Sequence, residues 1–212
     1  MPSRPRVLIA DDHLLIAELC KKHLETEFEV VDIVTNGRAL VSTALRQKPH
    51  VIVLDIAMPI LNGLDAGQQI KAACREIKLV YLTMNPDPEL AAEAFRRGAS
   101  AYLLKTCAAS ELVVAVRSVL NGRTYMSEGL PKQTINDLAR RIEKWSNHRI
   151  TEREREVLQL LAEGKQMKEI GEILHIATRT VAFHKYRMME VLDVKSNADL
   201  VRYAVRTHSV TA

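Results

Sequence analysis

Residues 50–55 read His50-Val51-Ile52-Val53-Leu54-Asp55, a short apolar run, largely β-branched, that ends on a carboxylate. A run of this length and composition predicts a strand. Four similar runs accompany it, at Arg6–Ala10, Glu29–Val34, Leu79–Leu82 and Ala101–Leu104. Between and after them lie segments of helical length, over 13–26, 37–48, 64–75, 87–97 and 109–121. Strands that alternate with helices in this way predict an α/β doubly wound five-stranded parallel sheet. Such a sheet binds ligands beyond the carboxyl ends of its strands. Asp11, Asp55, Thr83 and Lys105 all fall at or just after those ends.

That placement suggests chemistry. Asp11, Asp12 and Asp55 converge on one edge of the sheet, and crowded carboxylates favour a bound divalent cation. An all-oxygen donor set suits Mg²⁺, which often shares a phosphoryl group. Lys105 can pair with Asp55 and then with a phosphoryl oxygen, and the Thr83 hydroxyl can donate to that oxygen. A nucleophilic carboxylate, a metal, a cation and a hydroxyl together suit formation of an acyl phosphate on aspartate. An acidic pair at a strand end is ordinarily just solvated, so the coincidence at four strand ends carries the reading. A phosphatase with an aspartate nucleophile is the enzymatic rival. It calls for a second acid two residues after the nucleophile, where this chain has Ala57. A degenerate, unphosphorylated module is the other rival, and the intact Asp12, Asp55, Thr83 and Lys105 set argues against it.

The pattern changes after Asn121-Gly122. Gly129 and Pro131 break the next stretch, and Gln133 to Trp145 could form a helix, so 123–148 reads as a partly helical linker. From Thr151 strand signals vanish and four helices are expected, near 152–163, 167–174, 178–192 and 197–206. Thr151 with Glu154 reads as a capping box, and Ser196 as a cap for the last helix. Residues 166–192 read as helix, tight turn, helix. On the second of these helices Val181, Met188 and Leu192 share a core face. Arg179, Phe183, Tyr186 and Glu190 face the other way, with Ala182 and Arg187 on the flanks. Lys185 lies near the apolar face and should reach around to solvent. Arg179 can bond guanine in pairs and Phe183 can touch a thymine methyl. Lys165, Lys168, Arg187 and Lys195 are candidate phosphate contacts. Thr178, Thr180, Ala182 and Tyr186 complete the expected DNA-facing set. An ordinary helical bundle with solvated basic residues fits the pattern about as well.

Charge supports a polyanion partner for this half. Residues 1–121 hold 14 Lys+Arg against 14 Asp+Glu, whereas 122–212 hold 16 against 12, so the whole net charge of +4 lies there. No apolar run approaches the ~20 residues of a membrane span. The stretch behind the basic Met1–Arg6 is too short for a signal peptide, so a cytoplasmic protein with no membrane partner is expected. Cys20, Cys74 and Cys107 are far apart and read as free thiols rather than a zinc site. Trp145 reads as a packing or interface residue.

Residues 4–121 resemble the receiver domains of two-component response regulators. The matching text is Ala10-Asp11-Asp12-His13, Leu54-Asp55-Ile56-Ala57-Met58-Pro59, Asn62-Gly63, Leu82-Thr83-Met84 and Gly98 through Lys105. The resemblance implies that Asp55 accepts the phosphoryl group from a sensor histidine kinase. It implies a Mg²⁺ site at Asp12, Asp55, the Ala57 carbonyl and, through water, Asp11. Thr83 and Tyr102 match positions that reorient on phosphorylation. Lys105-Thr106 stands where many receivers have Lys-Pro, and Met84 is bulkier than the residue usual there. Residues 149–206 are similar to the LuxR-type helix-turn-helix, on Thr151 through Leu158, Lys168-Glu169-Ile170, Thr180-Val181 and His184. Ala177 replaces the usual Ser or Thr cap, leaving Thr178 to take that role. Ala182-Phe183 replaces polar base readers, and His184 reads as packed.

The whole chain therefore resembles the NarL/FixJ class of transcriptional regulators. Its expected parts are a receiver at 1–122, a linker at 123–148 and an all-α four-helix helix-turn-helix domain at 149–212. The expected partners are double-stranded promoter DNA, a second copy of the chain on activation, and RNA polymerase. In that class the receiver can mask the recognition helix until phosphorylation frees it. Leu200, Val201 and Ala204 on the last helix offer an apolar face for pairing.

Overall fold

The computed structural model describes residues 4–128, 130–131 and 150–206. The first domain is a parallel sheet of β1 (Arg6–Ala10), β2 (Glu29–Val34), β3 (Val51–Asp55), β4 (Lys78–Thr83), β5 (Ala101–Leu104) and β6 (Tyr125–Met126), in the order β2-β1-β3-β4-β5-β6. Its helices are α1 (Leu14–Leu24), α2 (Gly37–Gln47), α3 (Gly63–Ala73), α4 (Pro88–Arg96) and α5 (Ala108–Leu120). Each strand sends alternate residues to opposite faces. Leu8, Ile52, Leu54, Leu79 and Tyr81 pack under α2, α3 and α4. Val7, Ile9, Val51, Val53 and Leu103 pack under α1 and α5. Because β3 is covered on both faces, it reads as unbroken apolar sequence.

Register places the polar ends. Ala10 pairs with Leu54, so Asp11 and Asp55 emerge side by side. Thr83 pairs with Leu104, which brings Lys105 to the same edge. The strand order reverses at β1 and β3, so this edge is also the topological switch point.

Among the described residues the sheet has six strands rather than the five expected. Tyr125 and Met126 pair in parallel with Ala101 and Tyr102, inside the segment read as linker. Gly122 turns the chain at φ +75°, and Ser127 fixes the new strand. The Ser127 N–H donates to the Tyr102 carbonyl, and its hydroxyl accepts from the Leu104 N–H and donates to Glu111. Two residues are too few to leave a periodic signal. The expected helix at Gln133–Trp145 lies outside the described residues.

The second domain contains α6 (Glu152–Ala162), α7 (Met167–Leu174), α8 (Thr178–Val191) and α9 (Asn197–Arg206). Thr151 and Glu154 form the anticipated capping box. Ser196 caps α9, accepting from the Asp199 N–H while Asp199 accepts from Ser196. Leu158, Ile170, Leu174, Val181, Met188 and Leu192 form one core. Leu200 and Ala204 also belong to that core, at 1% and 0% exposure, because α9 packs back on α6. They are therefore not free to form the pairing face expected of them. Among the described residues no helix is long and apolar enough to cross a membrane.

Candidate functional site

The β1 and β3 ends bring Asp11, Asp12 and Asp55 together as the sequence predicts. One carboxylate oxygen from each, with a ring nitrogen of His13, lies within 4.8 Å of the others. Asp11 and Asp55 are buried and Asp12 is exposed, so two carboxylates are sequestered behind one open to solvent. Lys105 Nζ lies 2.8 Å from Asp11 Oδ2 and 2.8 Å from Asp55 Oδ2. The His13 N–H donates to Asp11 at 2.9 Å, and its Nδ1 sits 2.9 Å from Asp12. Gly63, at the start of α3, makes the close packing here possible. A Cβ built on it would lie 2.0 Å from the Asp55 carbonyl oxygen.

Burial pushes the Asp55 carboxyl above its ordinary range and Asp11 adds to the rise, against the pull of Lys105 and the Ala57 amide. Burial works against the charged form of Lys105, but the Asp55 and Asp11 carboxylates prevail and hold it above its usual value. The site thus keeps a charged ammonium between two carboxylates, one of them costly to ionise. A hard cation fits this donor set, because its ligands are carboxylate oxygens at a partly open edge.

Thr83 is buried beside Asp55, and its Oγ1 accepts from the Asn85 N–H at 3.1 Å. Tyr102 is fully buried and its hydroxyl donates to the Asn85 carbonyl at 3.1 Å. The tyrosine ring therefore occupies an inward position. Met84 is 67% exposed, so its bulk points away from the pocket. Lys105–Cys107 forms a 3-10 turn that leads into α5, with Thr106 exposed.

In the helical domain, α7 ends on His175 at φ +52°. Gly171 lets the turn close, since a Cβ there would meet the Ile176 carbonyl at 2.8 Å. Along α8, Val181 and Met188 are buried, whereas Arg179, Phe183 and Tyr186 are exposed. Thr178, Lys165, Lys168 and Lys195 are exposed as well, and Thr180 and Ala182 are half-buried. Lys185 Nζ lies 5.3 Å from the Tyr186 ring centre, a cation–π contact that takes its charge off the apolar face. His184 is half-buried against the edge of Phe183. Ala177 occupies the N-cap position of α8 with no side-chain cap, so Thr178 does not replace the missing one.

Arg187 has a partner that the sequence did not reveal. Its NH1 lies 2.7 Å from Glu154, a carboxylate 1% exposed inside the α6 capping box. Burial would raise that carboxyl, but the Thr151 amide and hydroxyl and the Arg187 charge together lower it. The stabilisation is therefore complete above the ordinary Glu value of 4.5 and is lost as pH falls through the depressed folded value. Glu154→Gln is expected to destabilise the helical domain by about 1–3 kcal/mol at neutral pH. Denaturant titrations should show that gap closing in acid; a pH-independent gap would contradict the ion pair.

Comparison with known proteins agrees with this architecture. Residues 7–117 match the response regulator receiver domain, and residues 148–204 match the LuxR family of bacterial regulatory proteins. The oxygen regulatory protein NreC of Staphylococcus carnosus is 31% identical over 95% of this chain and 97% of its own. The transcriptional regulatory protein MctR of Rhizobium johnstonii is 33% identical over 97% and 96%. The RcsB response regulator of Salmonella typhimurium is 26% identical, with a TM-score of 0.64 over 95% of this chain and 96% of that one. A structure of two RcsB dimers bound to two parallel DNAs matches at 27% identity and a TM-score of 0.58, over 99% and 100%. A phosphorylation-type receiver joined to a DNA-binding domain is the class that this fold and site define. The chain belongs to the two-component response regulators of the NarL/FixJ class, regulators of transcription with a LuxR-type helix-turn-helix.

Proposed function

We propose that the chain is phosphorylated on Asp55 by a sensor histidine kinase and that this controls its pairing on promoter DNA. The observation that carries the reading is Lys105 Nζ, 2.8 Å from both Asp11 and Asp55 at the carboxyl edge of the sheet. Transfer forms a bond from Asp55 Oδ to phosphorus as the donor's phosphorus–nitrogen bond breaks. Asp11, Asp12, Asp55 and the Ala57 carbonyl would hold Mg²⁺, which when bound neutralises charge on the phosphoryl oxygens. Lys105 supplies a second positive charge, Thr83 turns its hydroxyl to a phosphoryl oxygen, and Tyr102 backs that movement from its inward position. The chain acts as a switch and not as an enzyme with its own substrate.

In the same reading the receiver is 1–122, the linker 123–148 and the DNA-binding domain 149–212. The exposed face of α8 enters the major groove, with Arg179, Phe183 and Tyr186 toward base edges. Thr178, Thr180 and Ala182 line its first turns. Lys165, Lys168 and Lys195 reach phosphates, and Arg187 can do so with the part of its guanidinium not bonded to Glu154. Two copies bind two half-sites and recruit RNA polymerase, all in the cytoplasm. Acetyl phosphate with Mg²⁺ is expected to add one phosphoryl mass, raise the dimer fraction and tighten binding to a selected promoter duplex by about tenfold or more. Phosphoryl incorporation with no change in sedimentation or DNA affinity would overturn the reading.

A further inference from the structure

His13 directly follows the two carboxylates at the end of β1 and is the N-cap residue of α1, yet its side chain makes no capping bond. An N-cap side chain ordinarily accepts from the first-turn amides. This ring is turned to the carboxylates instead. Its Nδ1 lies 2.9 Å from Asp12 Oδ1 and 3.5 Å from Asp11 Oδ1. A carboxylate oxygen of Asp55 belongs to the same group of donor atoms, all within 4.8 Å of one another. The Asp11 oxygen beside the ring is not the one bonded to Lys105. That ammonium takes Oδ2 of Asp11 and Oδ2 of Asp55, at 2.8 Å each. Asp11 Oδ1 also accepts from the His13 backbone N–H at 2.9 Å, which fixes the carboxylate against the helix start and leaves it a further lone pair.

These separations are those of ligands on one ion. Donors about 2.0–2.1 Å from an ion of the size of Zn²⁺ stand roughly 2.9–3.4 Å apart, for angles between a right angle and a tetrahedral one. The ring is 65% exposed, so an ion arriving from solvent meets it together with the exposed Asp12.

We propose that His13 Nδ1 is a ligand of this pocket and opens it to a second class of cation, the borderline transition-metal ions represented by Zn²⁺. The proposal rests on the acidic pocket being the Mg²⁺ site. Mg²⁺ takes oxygen ligands and keeps several waters, so the imidazole adds little to its binding. Zn²⁺ and Ni²⁺ take imidazole readily, through one ring nitrogen while the other carries the proton. Nδ1 sits at hydrogen-bond distance from Asp12. An ion placed between them replaces that bond, and the ring proton is then carried on Nε2. Asp11, Asp12 and Asp55 supply oxygens to the same ion. The identity of the divalent ion in the receiver then depends on a residue that carries no oxygen ligand.

The test uses the full chain labelled with ¹⁵N, followed by ring-nitrogen NMR and by calorimetry. The chain has 7 histidines, and the His13 signals are those missing from His13→Asn. Asparagine is a favoured N-cap, so that variant keeps the helix start. Zn²⁺ is expected to move the His13 Nδ1 signal far more than its Nε2 signal, and excess Mg²⁺ should reverse the movement. His13→Asn should weaken Zn²⁺ binding about tenfold or more. Its Mg²⁺ affinity should stay within about twofold of wild type. Zn²⁺ that competes with Mg²⁺ but leaves Nδ1 unmoved overturns the proposal and reduces His13 to a partner of Asp12. Equal Zn²⁺ affinity in wild type and variant overturns it too, as does Zn²⁺ held only by other histidines. If Mg²⁺ neither binds nor displaces Zn²⁺ while Nδ1 still responds, the Mg²⁺ reading fails and the His13 ligand stands.

Discussion

Asp55→Asn is expected to abolish phosphoryl incorporation while raising the melting temperature of the Mg²⁺-free chain at neutral pH. Burial, with Asp11 in support, lifts the folded pKa of Asp55 above its ordinary 3.8, although Lys105 and the Ala57 amide oppose the rise. An acid with a raised folded pKa binds its proton more tightly folded than unfolded. Stability therefore falls as pH rises from the ordinary value through the folded one, and at neutral pH the ionised carboxylate is a net cost. Asparagine keeps the volume, removes the charge and leaves Lys105 its bond to Asp11. The melting difference should vanish in acid below the ordinary carboxylate value. Mg²⁺ should stabilise wild type far more than the variant, because a ligand stabilises only the state that binds it. Wild type should gain one phosphoryl mass from acetyl phosphate and the variant none. A variant that gains the mass at the wild-type rate would reject Asp55 as the acceptor.

The parts of this molecule that were legible in sequence are those in which polarity and burial agree. Val51 to Leu54 is apolar because β3 is covered on both faces, and the run ends at Asp55 because the chain there reaches the sheet edge. Among the described residues, the five longer strands, the nine α-helices and the convergence of Asp11, Asp55, Thr83 and Lys105 follow from that one rule applied repeatedly. β6 escaped it because two residues have no period, and its parallel pairing with β5 depends on the distant Ser127–Glu111 contact.

The polar face of α6 escaped for the opposite reason. Charge at Glu154, Arg155 and Glu156 reads as exposure, whereas each is buried against a specific partner: Arg187, Asp65 and Arg38. No local pattern separates a charge that is solvated from one that is paired across 90 residues, as Arg155 is with Asp65. The same limit explains Leu200 and Ala204. Their helical spacing correctly marks an apolar face, but spacing does not say whether that face meets its own domain or another copy.

Arg179→Ala is expected to weaken binding to the selected two-site duplex by ~1–3 kcal/mol per half-site, about 5- to 150-fold for each. Arg179 is the second residue of α8, exposed and one turn ahead of Phe183, with Tyr186 a further turn along the same face. Ala177 offers no side-chain acceptor at the helix start, although the Thr180 N–H bonds the Ala177 carbonyl, and from the exposed first turn Arg179 would reach a base. A bidentate contact to guanine is lost whole on truncation to alanine, and the loss should be confined to duplexes that carry that guanine. Lys195→Ala should behave differently. Lys195 is exposed beyond the end of α8, where a phosphate contact carries no sequence information. Its removal should weaken all duplexes alike and reduce the slope of log affinity against log salt by about 1. Anisotropy titrations at several salt concentrations, on selected and scrambled duplexes, separate the two effects. Equal binding of wild type and Arg179→Ala to the selected duplex would remove α8 from the major groove and move base reading to another surface of the domain.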